Sequence, residues 1–137
     1  MQLDLEVSTR IAAAAMAKAA ELGALVSVAV LDAGGNLVTF SRMDGAEIAG
    51  PTLAVDKAYT AVSNRISTHG LAELAAPGGS LYGIQSNGGG RFVIFGGGVP
   101  IWEGDAVVGG IGVSGGAVDE DVAAATAGLE EYTRIRG

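Results

Sequence analysis

The sequence predicts an α/β (α+β) chain, a mostly antiparallel sheet with helices packed on it, and three observations carry that expectation. Two segments, Val26 to Val38 and Gly98 to Gly116, each read as an apolar strand, a tight polar turn and a returning strand. Several other stretches space their apolar residues at three and four, the period of a helix face. No strand–helix–strand alternation runs along the chain, and the order reads α-β-β-α-α-β-β-β-α, which argues against a parallel sheet. A chain of 137 residues suits one domain over 1–137, large enough to bury roughly two-thirds of its unfolded surface.

The first helix is expected over 5–22, with Val7, Ile11, Ala14 or Ala15, and Leu22 on its inner stripe and Gly23 at its C-terminal cap. Val26 to Leu31 and Leu37 to Ser41 form a hairpin around Asp32-Ala33-Gly34-Gly35-Asn36. The two glycines there accept positive φ, and Asp32 and Asn36 bond nearby amides. Pro51 suits the first turn of a second helix, where its missing N–H costs nothing. Val55, Tyr59, Val62 and Ile66 follow as that helix's buried stripe, and Thr68 is placed to cap a short third helix carrying Leu71, Leu74 and Ala75.

Pro77-Gly78-Gly79 ends the third helix. Arg91 to Phe95, Pro100 to Trp102 and Asp105 to Ser114 read as three further strands. The last strand holds Gly110 and Gly112 on one face; glycine inside a strand marks close approach by another backbone or by a ligand. That smooth face is a candidate binding surface. Asp119-Glu120-Asp121 suits the positive end of a last helix, whose inner face is Val122, Ala125 or Thr126, Leu129 and Tyr132.

Composition removes several classes of function. Net charge is −7 and the basic residues are scattered singly, so the basic face that nucleic acid requires is missing. No apolar run approaches the ~20 residues of a membrane-spanning helix. The acidic N-terminus, Asp4 and Glu6 ahead of an alanine run, makes a poor signal peptide, and a cytoplasmic protein is expected. With no cysteine, disulfides and thiolate chemistry are excluded. Neither a phosphate loop nor a nucleophile elbow is present: Gly88-Gly89-Gly90 lacks the lysine and helix that a phosphate loop needs.

The chain's single histidine, His69, sits at the start of the third helix. It reads either as an exposed helix-start residue or as a general base or metal ligand, because imidazole titrates near neutrality. No metal site is otherwise expected. Lys57 falls off the stripe of the second helix and reads either as a solvated lysine or as a cation for a substrate carboxylate. Arg42, beside Met43 and Asp44, is the other candidate clamp, since its planar fork matches a carboxylate.

Several motifs together resemble the GlcG/HbpS family, which includes the C-terminal domain of PduO-type proteins. They are Val28-Ala29-Val30-Leu31-Asp32-Ala33-Gly34-Gly35, Arg42-Met43-Asp44-Gly45-Ala46, Lys57-Ala58-Tyr59-Thr60-Ala61, Pro77-Gly78-Gly79, Gly97-Gly98-Val99-Pro100-Ile101 and Val108-Gly109-Gly110-Ile111-Gly112-Val113-Ser114-Gly115-Gly116. The match runs in order through nearly the whole chain. It implies a five-stranded antiparallel sheet of profilin-like outline, homo-oligomers, and in some members haem binding with slow haem degradation.

The resemblance of the Lys57–Ala61 segment also implies that Lys57 or Thr60 lies near the glycine-lined sheet end. With the residues singled out above, the candidate ligand site is Arg42, Lys57, Thr60, Gly97, Gly98, Gly110, Gly112 and Gly115, and Lys57 and His69 are the catalytic candidates. One departure concerns iron. Haem-binding members resemble one another in using a histidine of the N-terminal region, and the first helix here has none. Met16, Met43, Lys18 and Tyr59 are the other side chains able to reach iron, and thioether or amine ligation alone is unusual.

Three functions follow. One is a small-ligand-binding protein, with haem or another tetrapyrrole as the named ligand. A second is a small enzyme acting on a carboxylate-bearing metabolite held by Lys57, Arg42 and His69. The third is an accessory homo-oligomer without chemistry, for which Trp102, beside a turn, is a natural interface anchor.

Overall fold

The computed structural model describes residues 3–137. Helix α1 (Leu5–Glu21) leads into the hairpin β1 (Ser27–Asp32) and β2 (Leu37–Arg42), and helices α2 (Gly50–Asn64) and α3 (Thr68–Ala75) follow. Two 3₁₀ turns, Ile84–Ser86 and Gly88–Gly90, precede the second hairpin, β3 (Gly98–Glu103) and β4 (Ala106–Ser114), and α4 (Val118–Arg136) closes the described chain. The strands form one antiparallel sheet in the order β2-β1-β4-β3.

Side-chain alternation divides the sheet into two faces. Val28, Val30, Val99, Ile101, Ile111 and Val113 point to one side and pack with Ile11, Ala12, Ala15 and Ala19 of α1 and Ala124, Ala125 and Tyr132 of α4. Burying each of these valines and isoleucines contributes about 1.5–3 kcal/mol. Asp4 caps α1 by accepting the Val7 amide at 2.8 Å, and Gly23 at φ +76° ends it.

The other face is thin by design of its residues. Ala29 and Leu31 of β1 pair with Gly112 and Gly110 of β4, and α2 lies over them through Ala54, Ala58 and Val62. A Cβ on Gly112 would sit 1.9 Å from the Ala54 carbonyl oxygen, and one on Gly110 would sit 2.6 Å from a Val62 methyl. The glycines thus admit the helix backbone, and the face expected to receive a ligand is covered by α2.

The flush contact also moves the helix's buried stripe. Ala54, Lys57, Ala58, Thr60, Ala61 and Val62 are buried, whereas Val55 and Tyr59 are half-buried and Ile66 lies beyond the helix end. Small side chains face the glycines because large ones would hold the helix away from the sheet.

Two further expectations are corrected. The sheet has four strands and not five, because residues 91–95 do not pair as a strand. The Val93 amide donates instead to Thr60 Oγ1 at 3.0 Å, so a helix side chain supplies the acceptor a neighbouring strand would have given. The order therefore loses its third-from-last β, reading α-β-β-α-α-β-β-α. The cap of α3 is Ser67, which accepts the Gly70 amide, while Thr68 accepts the Gly98 amide at 2.9 Å and ties α3 to β3.

Candidate functional site

Lys57 is the largest fully buried side chain among the described residues, at 0% exposure. It projects from the middle of α2 toward the chain ends that leave β4 and enter β3. Its Nζ donates to the Val113 carbonyl at 2.9 Å and to Asp121 Oδ2 at 3.2 Å, and lies 4.9 Å from the centre of the Phe95 ring. Asp121, 3% exposed, stands in the first turn of α4, and its other oxygen accepts the Gly116 amide at 2.9 Å. Gly97 makes the room: a Cβ there would fall 2.7 Å from Lys57 Nζ and 2.4 Å from the Val113 oxygen.

Burial pushes the Lys57 ammonium down from its ordinary value, and the Asp121 carboxylate opposes that shift. Burial likewise pushes the Asp121 carboxyl up, opposed by Lys57 and by the amides of Gly116 and Gly115. Removal from water dominates for both groups. An ammonium has three donors; two meet oxygen acceptors here, and Phe95 offers its ring. No donor is left for an incoming carboxylate unless Asp121 is displaced.

The other sequence candidates are distributed around this pair. Gly98 abuts the Lys57 carbonyl, and Gly115 abuts the Leu25 carbonyl, so both are positions of close backbone approach. Thr60 is buried, donates to the Asp56 carbonyl at 2.7 Å and receives Val93, which makes it a clasp for residues 91–93. Arg42, at the exposed end of β2, donates to the Ala46 carbonyl and closes the turn that follows. His69 is exposed on the first turn of α3, its Cβ close to Gly96, and lines none of the clefts described next.

Clefts open on the surface of the described residues. One, of about 450 Å³, lies between Gly23–Leu25, Gly45–Glu47 and Gly115–Ala117 and carries the carboxylates of Glu47 and Glu120. Its helix N-terminus is capped from within, since Gly116 donates to Asp121 and Ala117 to Glu120 Oε1 at 2.8 Å. No amide there is left free for phosphate by those two residues.

A second cleft, about 330 Å³, lies between Ala33–Gly35 and the α2 residues Tyr59, Val62, Ser63 and Arg65. The third, about 210 Å³, adjoins it through Ala33 and Gly34 and includes Asp32, Asn36 and Val108. Hydrogen bonds, foremost from the Asn36 amide, hold the Asp32 carboxyl below its usual value.

Sequence reasoning read Asp121 as a helix-start acid and overlooked Arg65, Arg91 and Phe95. The spacing 121, 125, 128, 132 places Asp121 on the buried stripe with Ala125, Gly128 and Tyr132, a signal that was present. Nothing local foretold that Phe95 would cover Lys57.

The chain is similar to known proteins. A family model described as "Haem degrading protein HbpS-like" matches residues 3–130. An uncharacterized 15.0 kDa protein of the dhaT–dhaS intergenic region of Citrobacter freundii is 38% identical over 133 residues, 97% of this chain and 94% of that protein. Corrinoid adenosyltransferase PduO of Salmonella typhimurium is 40% identical over 119 residues, 87% of this chain but 34% of that protein, so only about a third of PduO is represented.

Among solved structures, the PduOC:heme complex superposes with a TM-score of 0.91 at 34% identity, covering 96% of this chain and 95% of that one. HbpS superposes with a TM-score of 0.85 at 36% identity, covering 95% and 89%. A match across residues 3–130, together with relatives above 30% identity over most of their own length, establishes the family: this chain belongs to the HbpS-like, or GlcG/HbpS, proteins.

Proposed function

We propose that the protein, as one domain over 1–137, binds a small organic ligand, with haem as the first ligand to test. The observation that supports this reading is the likeness along 96% of the chain to the haem complex of PduOC. The family description points the same way.

The iron-ligating side chains do not fit a haem enclosed and held through the first helix. That helix offers the Met16 thioether, which packs against the core, and the Lys18 amine, which is paired with Glu21 at 3.2 Å. The Met43 sulfur receives the Val26 amide, and Lys57 is closed off by Asp121 and Val113. His69, the chain's only histidine, is exposed and outside the clefts. His69 is the only imidazole that would be available to hold haem iron.

Titration with haem tests the reading: a saturable Soret shift is expected, and its absence overturns haem as the ligand. His69→Ala should shift the Soret maximum if imidazole ligates; an unchanged spectrum removes His69 from the iron.

A homo-oligomer completes the proposal. Ile48 at 93% and Trp102 at 44% exposure, with Leu37 also open, leave large apolar side chains for a second copy to cover. Light scattering giving a 13.5 kDa particle at micromolar concentration would refute it. No helix among the described residues is long and apolar enough to cross a membrane; the cytoplasmic location expected from the sequence belongs to the proposal.

A further inference from the structure

Arg65 is the only non-glycine residue with positive φ among the described residues, at φ 55° on the C-terminal cap of α2. Glycine or asparagine is the usual occupant of such a left-handed cap. A cation near a helix C-terminus is favourable in itself, but residue 63 or 64 would supply it on ordinary helical backbone. The dipole accounts for a charge at this end of α2 and not for its placement on a left-handed residue.

Every other arginine is engaged: Arg10 and Arg134 with Glu131, Arg42 with the Ala46 carbonyl, Arg91 with Asp56, and Arg136 with Glu103. The Arg65 guanidinium has no hydrogen bond or ion pair among the described residues, its backbone amide alone being engaged, with the Ala61 carbonyl. It lines the cleft of about 330 Å³ with Tyr59, Val62 and the Ala33–Gly35 turn.

Tyr59 is held in place there. The Arg91 guanidinium lies 3.7 Å from its ring centre, Phe92 stacks at 6.2 Å, and Gly35 approaches the ring edge. Its hydroxyl has no partner among the described residues. Carbonyls that would repel an anion at this helix end are largely occupied: Tyr59 accepts from Ser63, Thr60 from Asn64, and Ala61 from the amides of Arg65 and Ile66. The nearby Asp32 carboxylate is bound by Gly34 and Asn36 of its own turn.

We propose that this cleft binds a small organic carboxylate. The acid lies on the Arg65 guanidinium within reach of the Tyr59 hydroxyl, and the apolar body lies along Val62 and the Tyr59 ring. A free organic acid and a porphyrin propionate share this chemistry.

The test is a titration of the full, isotope-labelled chain with sodium benzoate, read amide by amide by NMR. Saturable shifts are expected at Ala33–Gly35 and Ser63–Arg65. Arg65→Gly, which suits the left-handed backbone, should raise thermal stability and yet weaken benzoate roughly tenfold or more; Arg65→Lys should fall between. Wild-type affinity in Arg65→Gly, saturable shifts confined to other regions, or no saturable shift would each overturn the proposal.

Haem added with and without benzoate separates the sources. Competition identifies a propionate as the occupant, and independent binding identifies a free acid. Failure of the haem titration alone removes the haem reading and leaves the benzoate result standing.

Discussion

Removing one member of the buried Lys57–Asp121 pair should be far more damaging than removing both. Asp121→Asn keeps an oxygen for the Gly116 amide (2.9 Å) but withdraws the charge 3.2 Å from Lys57 Nζ. The ammonium then keeps only the Val113 carbonyl and the Phe95 ring in a site with no solvent exposure. Lys57→Met leaves the converse, a buried carboxylate with only backbone amides beside it. Breaking a buried pair from one side costs about 3–5 kcal/mol. In the double variant Lys57→Met/Asp121→Asn no charge is left buried, and stability should return to within about 2 kcal/mol of wild type. The apparent coupling in a double-mutant cycle should then be at the upper end of the usual range, about 3 kcal/mol or more.

Urea unfolding of the four proteins measures this, and single-variant costs that simply add in the double would refute the reasoning. The pair also sets a pH profile. The Asp121 carboxyl is pushed up from 3.8, so its contribution is present below that value and is lost as pH rises through the folded-state value. The Lys57 ammonium is pushed down from 10.5, so its contribution is present above 10.5 and is lost as pH falls through its folded-state value. Both limbs should flatten in the double variant.

Other substitutions test the packing. Gly112→Ala places a Cβ 1.9 Å from the Ala54 oxygen, and lifting α2 should cost about 1–3 kcal/mol or more, seen as a lower urea midpoint. Thr60→Val strands the Val93 amide and should cost about 1–3 kcal/mol, with faster amide exchange at Val93 than in wild type. Arg65→Gly removes a left-handed strain of about 1–2 kcal/mol, partly offset by glycine's chain entropy, so a small rise in thermal midpoint is expected.

The two hairpins and all four helices were legible in the sequence because each rests on a local pattern: period-two alternation, turn glycines, or helical spacing. The 91–95 segment was not. Its Phe-Val-Ile-Phe run has the composition of a strand, but its amide partner is a threonine more than thirty residues away, and no window along the chain contains both. Gly110 and Gly112 were rightly read as a place of close approach; whether helix or ligand approaches depends on the tertiary docking of α2. Lys57 was singled out, yet its burial follows from Gly97, Phe95 and Asp121 meeting around it, which only the assembled sheet brings about.

The clasps from α2 and α3 divide the long connection between α3 and β3 into two parts with different evolutionary latitude. Gly78, Gly83, Gly89 and Gly90 take positive φ with open space around them, whereas Gly79 abuts the Leu74 carbonyl and Gly88 the Phe92 ring, so residues inserted at the four open positions would extend into solvent. From residue 91 onward the path is fixed at successive steps: Asp56 holds Arg91, Thr60 holds Val93, and Thr68 holds Gly98. One extra residue there would carry Gly97 off Lys57 and put a side chain against its ammonium. Length variation should therefore be tolerated before residue 91 and abolished after it, although both parts look equally irregular along the backbone.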